Sequence, residues 1–150
     1  MTDIQSHYKH WLSEAVTMEL KAIAMIDAMR PALLQMPYLL QMLDLHRLDT
    51  QGQLDALLEL QGGGEAPVIP PSEAIQDPVR IAIASYAFEN EEIATYEVLI
   101  ASARQLDDQK AIAVFEAALK QEELMADWLI AHLDDILKAH VTGERMEIPA

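Results

Sequence analysis

Residues 112–136 read IAVFEAALKQEELMADWLIAHLDDI, and along them Ile112, Phe115, Leu119, Glu122, Ala126, Leu129, Leu133 and Ile136 recur by alternating threes and fours. That spacing is the period of one helix face, so the stretch predicts an α-helix with an inner stripe that is apolar except at one position. Glu122 interrupts the stripe halfway along. A carboxylate placed there loses its hydration and needs a cation or a proton to neutralise it.

The interruption recurs on two further predicted helices. Glu19 falls among Leu12, Val16, Ile23 and Ile26. Glu89 and Glu92, neighbours at i,i+3, straddle the centre of a face built from Ile81, Phe88, Ile93, Tyr96, Leu99, Ile100 and Leu106.

Turn chemistry marks the ends of these helices. The first runs over about 5–30 and stops at Pro31; the second, about 37–61, opens on Pro37 and ends before Gly62, Gly63 and Gly64. A linker at 62–76 carries Pro67, Pro70 and Pro71. The third helix, about 77–106, begins with an Asp77 cap and Pro78, and the fourth, about 108–140, follows a tight break at Leu106, Asp107 and Asp108.

The chain has 150 residues, 51% of them hydrophobic, which suits one domain over 1–150. Its short connections after the first and third helices make two antiparallel hairpins, and a linker of ~15 residues spans ~50 Å, enough to cross a bundle lengthwise. The expected fold is all-α: a four-helix bundle of two antiparallel hairpins joined by a long crossover, the ferritin-like arrangement. Counted from their hairpin ends, Glu19, Asp49, Glu92 and Glu122 all sit roughly 16 to 21 Å along their helices. The carboxylates therefore share a level and are placed to converge.

Composition excludes several functions. There is no cysteine, so disulfides, thiolate catalysis and thiolate metal sites are out, and any metal must be held by oxygen and imidazole. A formal charge of −15 repels phosphate backbones and anionic lipid, which argues against nucleic-acid and membrane partners. No apolar run approaches the ~20 residues of a membrane span, and the start of the chain, with Asp3, His7 and Lys9, has no signal-peptide apolar core. A cytoplasmic protein is the expectation. The first helix is apolar almost all round, through Ala15, Met18, Ala22, Met25 and Met29, which points to a homodimer.

On the second helix the apolar face centres on Leu39, Leu43, Leu54 and Leu57, turning His46, Thr50 and Gln53 inward and leaving Asp49 on the flank. Carboxylates from facing helices hold two cations by bridging them, and histidines complete the coordination. The candidate metal ligands are Glu19, His46, Asp49, Glu89, Glu92 and Glu122, with Tyr96, Gln53 and Arg47 in support. Harder cations, two iron ions or manganese, suit this donor set. The usual Glu-x-x-His is missing, because Met125 follows Glu122 at i+3 and Gly52 follows Asp49. The alternative is a metal-free network in which Arg47 neutralises one or two carboxylates bidentately and the others share protons, which would make the protein a scaffold or interaction module. His7, His10, His132 and His140 read as solvated or capping groups near helix ends.

Two segments resemble the bacterial YciE/YciF family. Glu89-Asn90-Glu91-Glu92-Ile93-Ala94-Thr95-Tyr96 is similar to its Glu-His-Tyr-Glu-Ile-Ala-x-Tyr stretch, and His46-Arg47-Leu48-Asp49-Thr50-Gln51-Gly52-Gln53 to its His-Leu-Glu-Glu-Thr-x-Gly-Gln segment. Glu19 and Glu122 stand where the family's first and fourth helices carry acids, and the likeness spans about residues 8–138. The resemblance implies a ferritin-like four-helix fold, often dimeric, with a di-iron centre and an association with stress responses; the carboxylate donor set, holding two ferrous ions, would suit an oxidase- or peroxidase-type activity. The sequence departs from the pattern at Asn90, Leu48 and Gln51.

Overall fold

The computed structural model describes residues 3–150. Its order is α1 (Ile4–Met29), a 3₁₀ turn (Arg30–Leu33), α2 (Pro37–Leu60), α3 (Pro78–Gln105) and α4 (Gln109–Thr142). No strand occurs among the described residues. None of their helices is long and apolar enough to cross a membrane.

The helix ends follow from local chemistry. Asp3 caps α1 by accepting from the Ser6 N–H and hydroxyl. Asp77 accepts from Val79 N at 2.8 Å, and Asp108 from Ala111 N at 3.1 Å. Each carboxylate thus satisfies an amide that the first helical turn leaves free. Pro37 and Pro78 open α2 and α3, where a missing N–H costs nothing. After α2 the chain turns through Gly62, Gly63 and Gly64 at φ of 94°, 85° and 111°. Three consecutive left-handed residues are tolerable only without side chains, and the run launches the crossover away from the bundle.

α1 packs on α2 and α3, and α4 packs on α3 and α2, so α2 faces α3 and α1 faces α4 across the diagonals. Two apolar clusters fill the interior. One gathers Tyr8, Leu12, Leu57, Tyr96, Leu99 and Phe115; the other gathers Ile26, Met29, Leu39, Ile81, Leu129 and Ile136. Glu19, His46, Thr50, Glu89, Glu92 and Glu122, all buried, lie between them as a polar layer at mid-bundle.

The apolar circumference of α1 is used within the chain. Ala15, Met18, Ala22 and Met29 are buried, and Met25 lines a groove under the crossover residues Ile69, Pro70 and Pro71. α1 is the helix that both its hairpin partner and the crossover cover, so its composition is explained without a second copy.

Candidate metal centre

Three helices supply the central donors: His46 from α2, Glu89 and Glu92 from α3, and Glu122 from α4. Each contributes one ligand atom to a group lying within 4.8 Å of one another, and all four residues are buried. The i,i+3 spacing of Glu89 and Glu92 puts both on one face of α3, while Thr50 braces the turn that carries His46 by donating to its carbonyl at 2.9 Å. Glu19 on α1, also buried, stands outside this group of four, beside Glu92 and Tyr96.

His46 Nε2 lies 2.8 Å from Glu89 Oε1 and 3.5 Å from Glu122 Oε2. The shorter separation is that of a hydrogen bond, yet the angle is not, and Nε2 has no hydrogen-bond partner. Nor do both oxygens of Glu19, Glu92 and Glu122, Oε2 of Glu89, or the Tyr96 hydroxyl. Buried polar atoms are normally satisfied, so a concentration of orphans this dense calls for a cation or shared protons.

The electrostatics describe the protonated solution. Burial pushes Glu19 and Glu89 up to about 8, with His46 pulling both back. Burial and the charges of Glu89, Glu122 and Glu19 lift Glu92 well above the carboxylate range. Burial opposes the charge on His46, but Glu122 and Glu89 outweigh it and raise its pKa to about 10. Burial likewise opposes the charge on Glu122, and His46 followed by Glu89 outweighs it, drawing Glu122 down to about 2. Without metal the layer is one imidazolium, one carboxylate and three carboxylic acids, neutral overall. The four central side chains, three carboxyls and an imidazole without thiolate, have the chemistry of a carboxylate metal site.

The expected supporting residues divide. Tyr96 is fully buried against Glu19, and burial with the nearby carboxylates holds its phenol well above the usual range. Gln53 is buried and donates to Gln121 Oε1 at 2.9 Å, and Gln121 in turn donates to Asp49 Oδ1 at 3.3 Å. Asp49 stays half-buried on the flank of α2, apart from the four central donors.

Arg47 does not reach the layer. It forms a bidentate pair with Asp27 at the surface, at 2.8 and 3.0 Å, because its side chain leaves α2 toward α1 and finds water and a carboxylate there. None of the ion pairs formed by the described lysines and arginines involves the buried acids. His132 also differs from the expectation. It lies well inside α4 rather than near its end, stacked on Trp128 at 4.2 Å and edge-on to Tyr38. Gln121 escaped the sequence reading, although its place immediately before Glu122 on the α2-facing flank of α4 was a usable signal.

A family model described as "Domain of unknown function (DUF892)" matches residues 69–142, which span α3, α4 and the end of the crossover. A protein of known crystal structure from Xanthomonas campestris pv. campestris is 32% identical, with 93% of this chain and 97% of that one covered and a TM-score of 0.80. The E. coli stress protein YciF is 18% identical over 92% of this chain and 99% of its own, with a TM-score of 0.77. Nigerythrin, in its fully reduced all-ferrous state, is 21% identical over 86% and 67%, with a TM-score of 0.76. At the last two identities the likeness is one of fold. The bundle is ferritin-like, its buried His/Glu cluster fits a carboxylate metal site, and the chain belongs to the YciE/YciF family of ferritin-like proteins.

Proposed function

We propose that this bundle is a carboxylate-bridged metal-binding protein holding two divalent ions, iron or manganese, with a role in handling oxidants under stress. The observation that carries the reading is the convergence of His46, Glu89, Glu92 and Glu122 within 4.8 Å, with their buried oxygens left without donors. Glu89 on α3 and Glu122 on α4, which approach His46 from the facing hairpin, would hold the ions together with it, and Glu92 with Glu19 would complete the set on the Tyr96 side. Bound ferrous ions would supply reducing electrons for dioxygen or peroxide.

The protein's own part is the rest. Two apolar clusters wall the layer above and below and keep bulk water from competing for the ions. His46 presents an unpaired Nε2 and would hold a metal through it once the proton that Glu122 and Glu89 otherwise stabilise is released to solvent. Tyr96, with its unpartnered hydroxyl, is placed to hold a proton beside Glu19. The stress role rests on the fold shared with the E. coli stress protein, and iron on the likeness to all-ferrous nigerythrin. A cytoplasmic location and a homodimer belong to the same reading. Ile130, Leu137 and Val141 form an exposed apolar stripe on the outer side of α4 that a second copy would cover.

The metal-free scaffold remains the second reading, and one observation favours it: the His46–Glu122 pair and three protonated acids already balance charge. Elemental analysis of untagged protein, with ferrous and manganous titration of the chelated form followed by melting temperature, separates the two. Stoichiometric metal and a raised Tm support the metal centre; no metal and no shift leave the scaffold.

A further inference from the structure

The seam between α2 and α4 differs from the other helix contacts. It carries two cavities, about 420 Å³ and about 120 Å³, that share Asp49 and Gln121. The larger is floored by Tyr96; the smaller is bordered by His46 and Met125. Both therefore abut residues of the polar layer, one on the Tyr96 side and one on the imidazole side. Small residues line the larger cavity, Gly52 and Ala56 on α2 facing Ala117 and Ala118 on α4, and leave it unfilled.

A chain of polar groups crosses this seam from surface to interior. Half-buried Asp49 accepts from Gln121, and Gln121 accepts from Gln53. Gln53 is only 5% exposed, yet its Oε1 has no partner. A buried amide oxygen without a donor, in the wall of a cavity behind a reachable carboxylate, is a site for a hard cation in transit. The opposite face offers none of this. The α1–α3 groove, about 310 Å³, is roofed by Ile69, Pro70 and Pro71, floored by Phe88 and Met25, and carries Lys21 at its edge. Apolar walls and a positive charge repel a hydrated cation.

We propose that the α2–α4 seam is the entry port by which a divalent cation reaches the buried carboxylates, with Asp49 as the landing carboxylate and the Gln121 and Gln53 amides as the relay behind it. The proposal rests on the metal-binding reading above. It assigns Asp49 a part in loading that its flank position denies it in the final coordination.

The test is manganous ion uptake by the metal-free full chain, followed by stopped flow with a free-metal indicator, alongside the melting temperature at equilibrium. Gly52→Phe fills the seam from outside, since a Cβ at Gly52 meets no atom within 4 Å. Asp49→Asn removes the landing charge without changing shape, and decides the matter if Gly52→Phe does not fold. Ala24→Leu, in the α1–α3 groove, is the control. Both seam variants should load about tenfold more slowly, the low end of electrostatic and steric control over ligand entry. Gly52→Phe and Ala24→Leu should show the wild-type manganese-induced rise in Tm at equilibrium, and Ala24→Leu should keep the wild-type rate. Wild-type rates in both seam variants, or slowing in Ala24→Leu, overturn the port while leaving the metal centre intact. A wild-type protein whose Tm manganese does not move overturns both.

Discussion

His46 Nε2 on α2 and Glu89 Oε1 on α3 approach to 2.8 Å across the diagonal of the bundle, joining helices that do not pack on each other. The contact links the two hairpins through side chains alone. It places the imidazole where protons and metal compete for the same nitrogen, and the consequences can be measured.

Metal and the protonated His46 imidazole are alternative partners for the carboxylates, so Glu89→Ala and Glu122→Ala should each abolish metal-induced stabilisation. For the wild type at a hundredfold excess over Kd, binding contributes about 2.7 kcal/mol, a rise of roughly 5–10 °C in Tm for a chain of this size. Differential scanning calorimetry with and without manganese checks this. A persistent rise in either variant would place the ions elsewhere.

Stability of the metal-free protein should fall as pH rises from about 5 to 8. Glu19 and Glu89 keep their protons until about pH 8 in the folded state, against 4.5 ordinarily, and Glu92 keeps its proton longer still. The folded state binds more protons over that window, so raising pH favours unfolding. His46, raised from 6.5 to about 10, acts the same way: its contribution is complete below 6.5 and disappears as pH climbs through 10. Glu122, lowered to about 2, acts oppositely, and its contribution disappears only as pH drops from 4.5 toward 2. Maximal stability near pH 5, declining on both sides, is the expected melting profile; a Tm that climbs between pH 5 and 8 would contradict the protonated layer.

Replacing Glu92 by Met should stabilise the metal-free protein by about 1–3 kcal/mol, because both oxygens of Glu92 are buried without partners and methionine fills a similar volume. The same variant should lose its response to metal. Urea titration and metal titration of one sample test the two halves together, and a destabilised Glu92→Met would mean the carboxyl makes bonds that the geometry does not show.

Arg47→Ala should cost at most about 1 kcal/mol and leave metal loading untouched, since its partner is Asp27 and the pair is screened by solvent. Loss of metal binding in this variant would return Arg47 to the site.

Gly52→Ala should add about 0.5–1 kcal/mol whether or not metal is present. The position is exposed in the interior of α2, and nothing crowds its Cβ. Chemical denaturation of both forms measures the gain.

The sequence by itself determined the helices and the level of the polar layer. Capping aspartates, prolines at first helical positions and the glycine run act over a few residues, and a period of 3.6 identifies an inner stripe wherever a helix packs. Glu19, Glu89, Glu92 and Glu122 were legible because carboxylates on such a stripe violate its pattern. The inward turn of His46 and the flank position of Asp49 could also be read from α2's apolar face. What periodicity cannot supply is the rotation of one helix against another, because that depends on packing between segments distant in the chain. Tertiary structure alone sent Arg47 outward to Asp27, brought Gln121 across to Gln53 and Asp49, enclosed α1 so that its apolar surface was consumed inside the chain, and set Tyr38 of α2 edge-on against His132. Each of these is decided by which neighbour lies within reach of a flexible side chain, a distance fixed only when all four helices have packed.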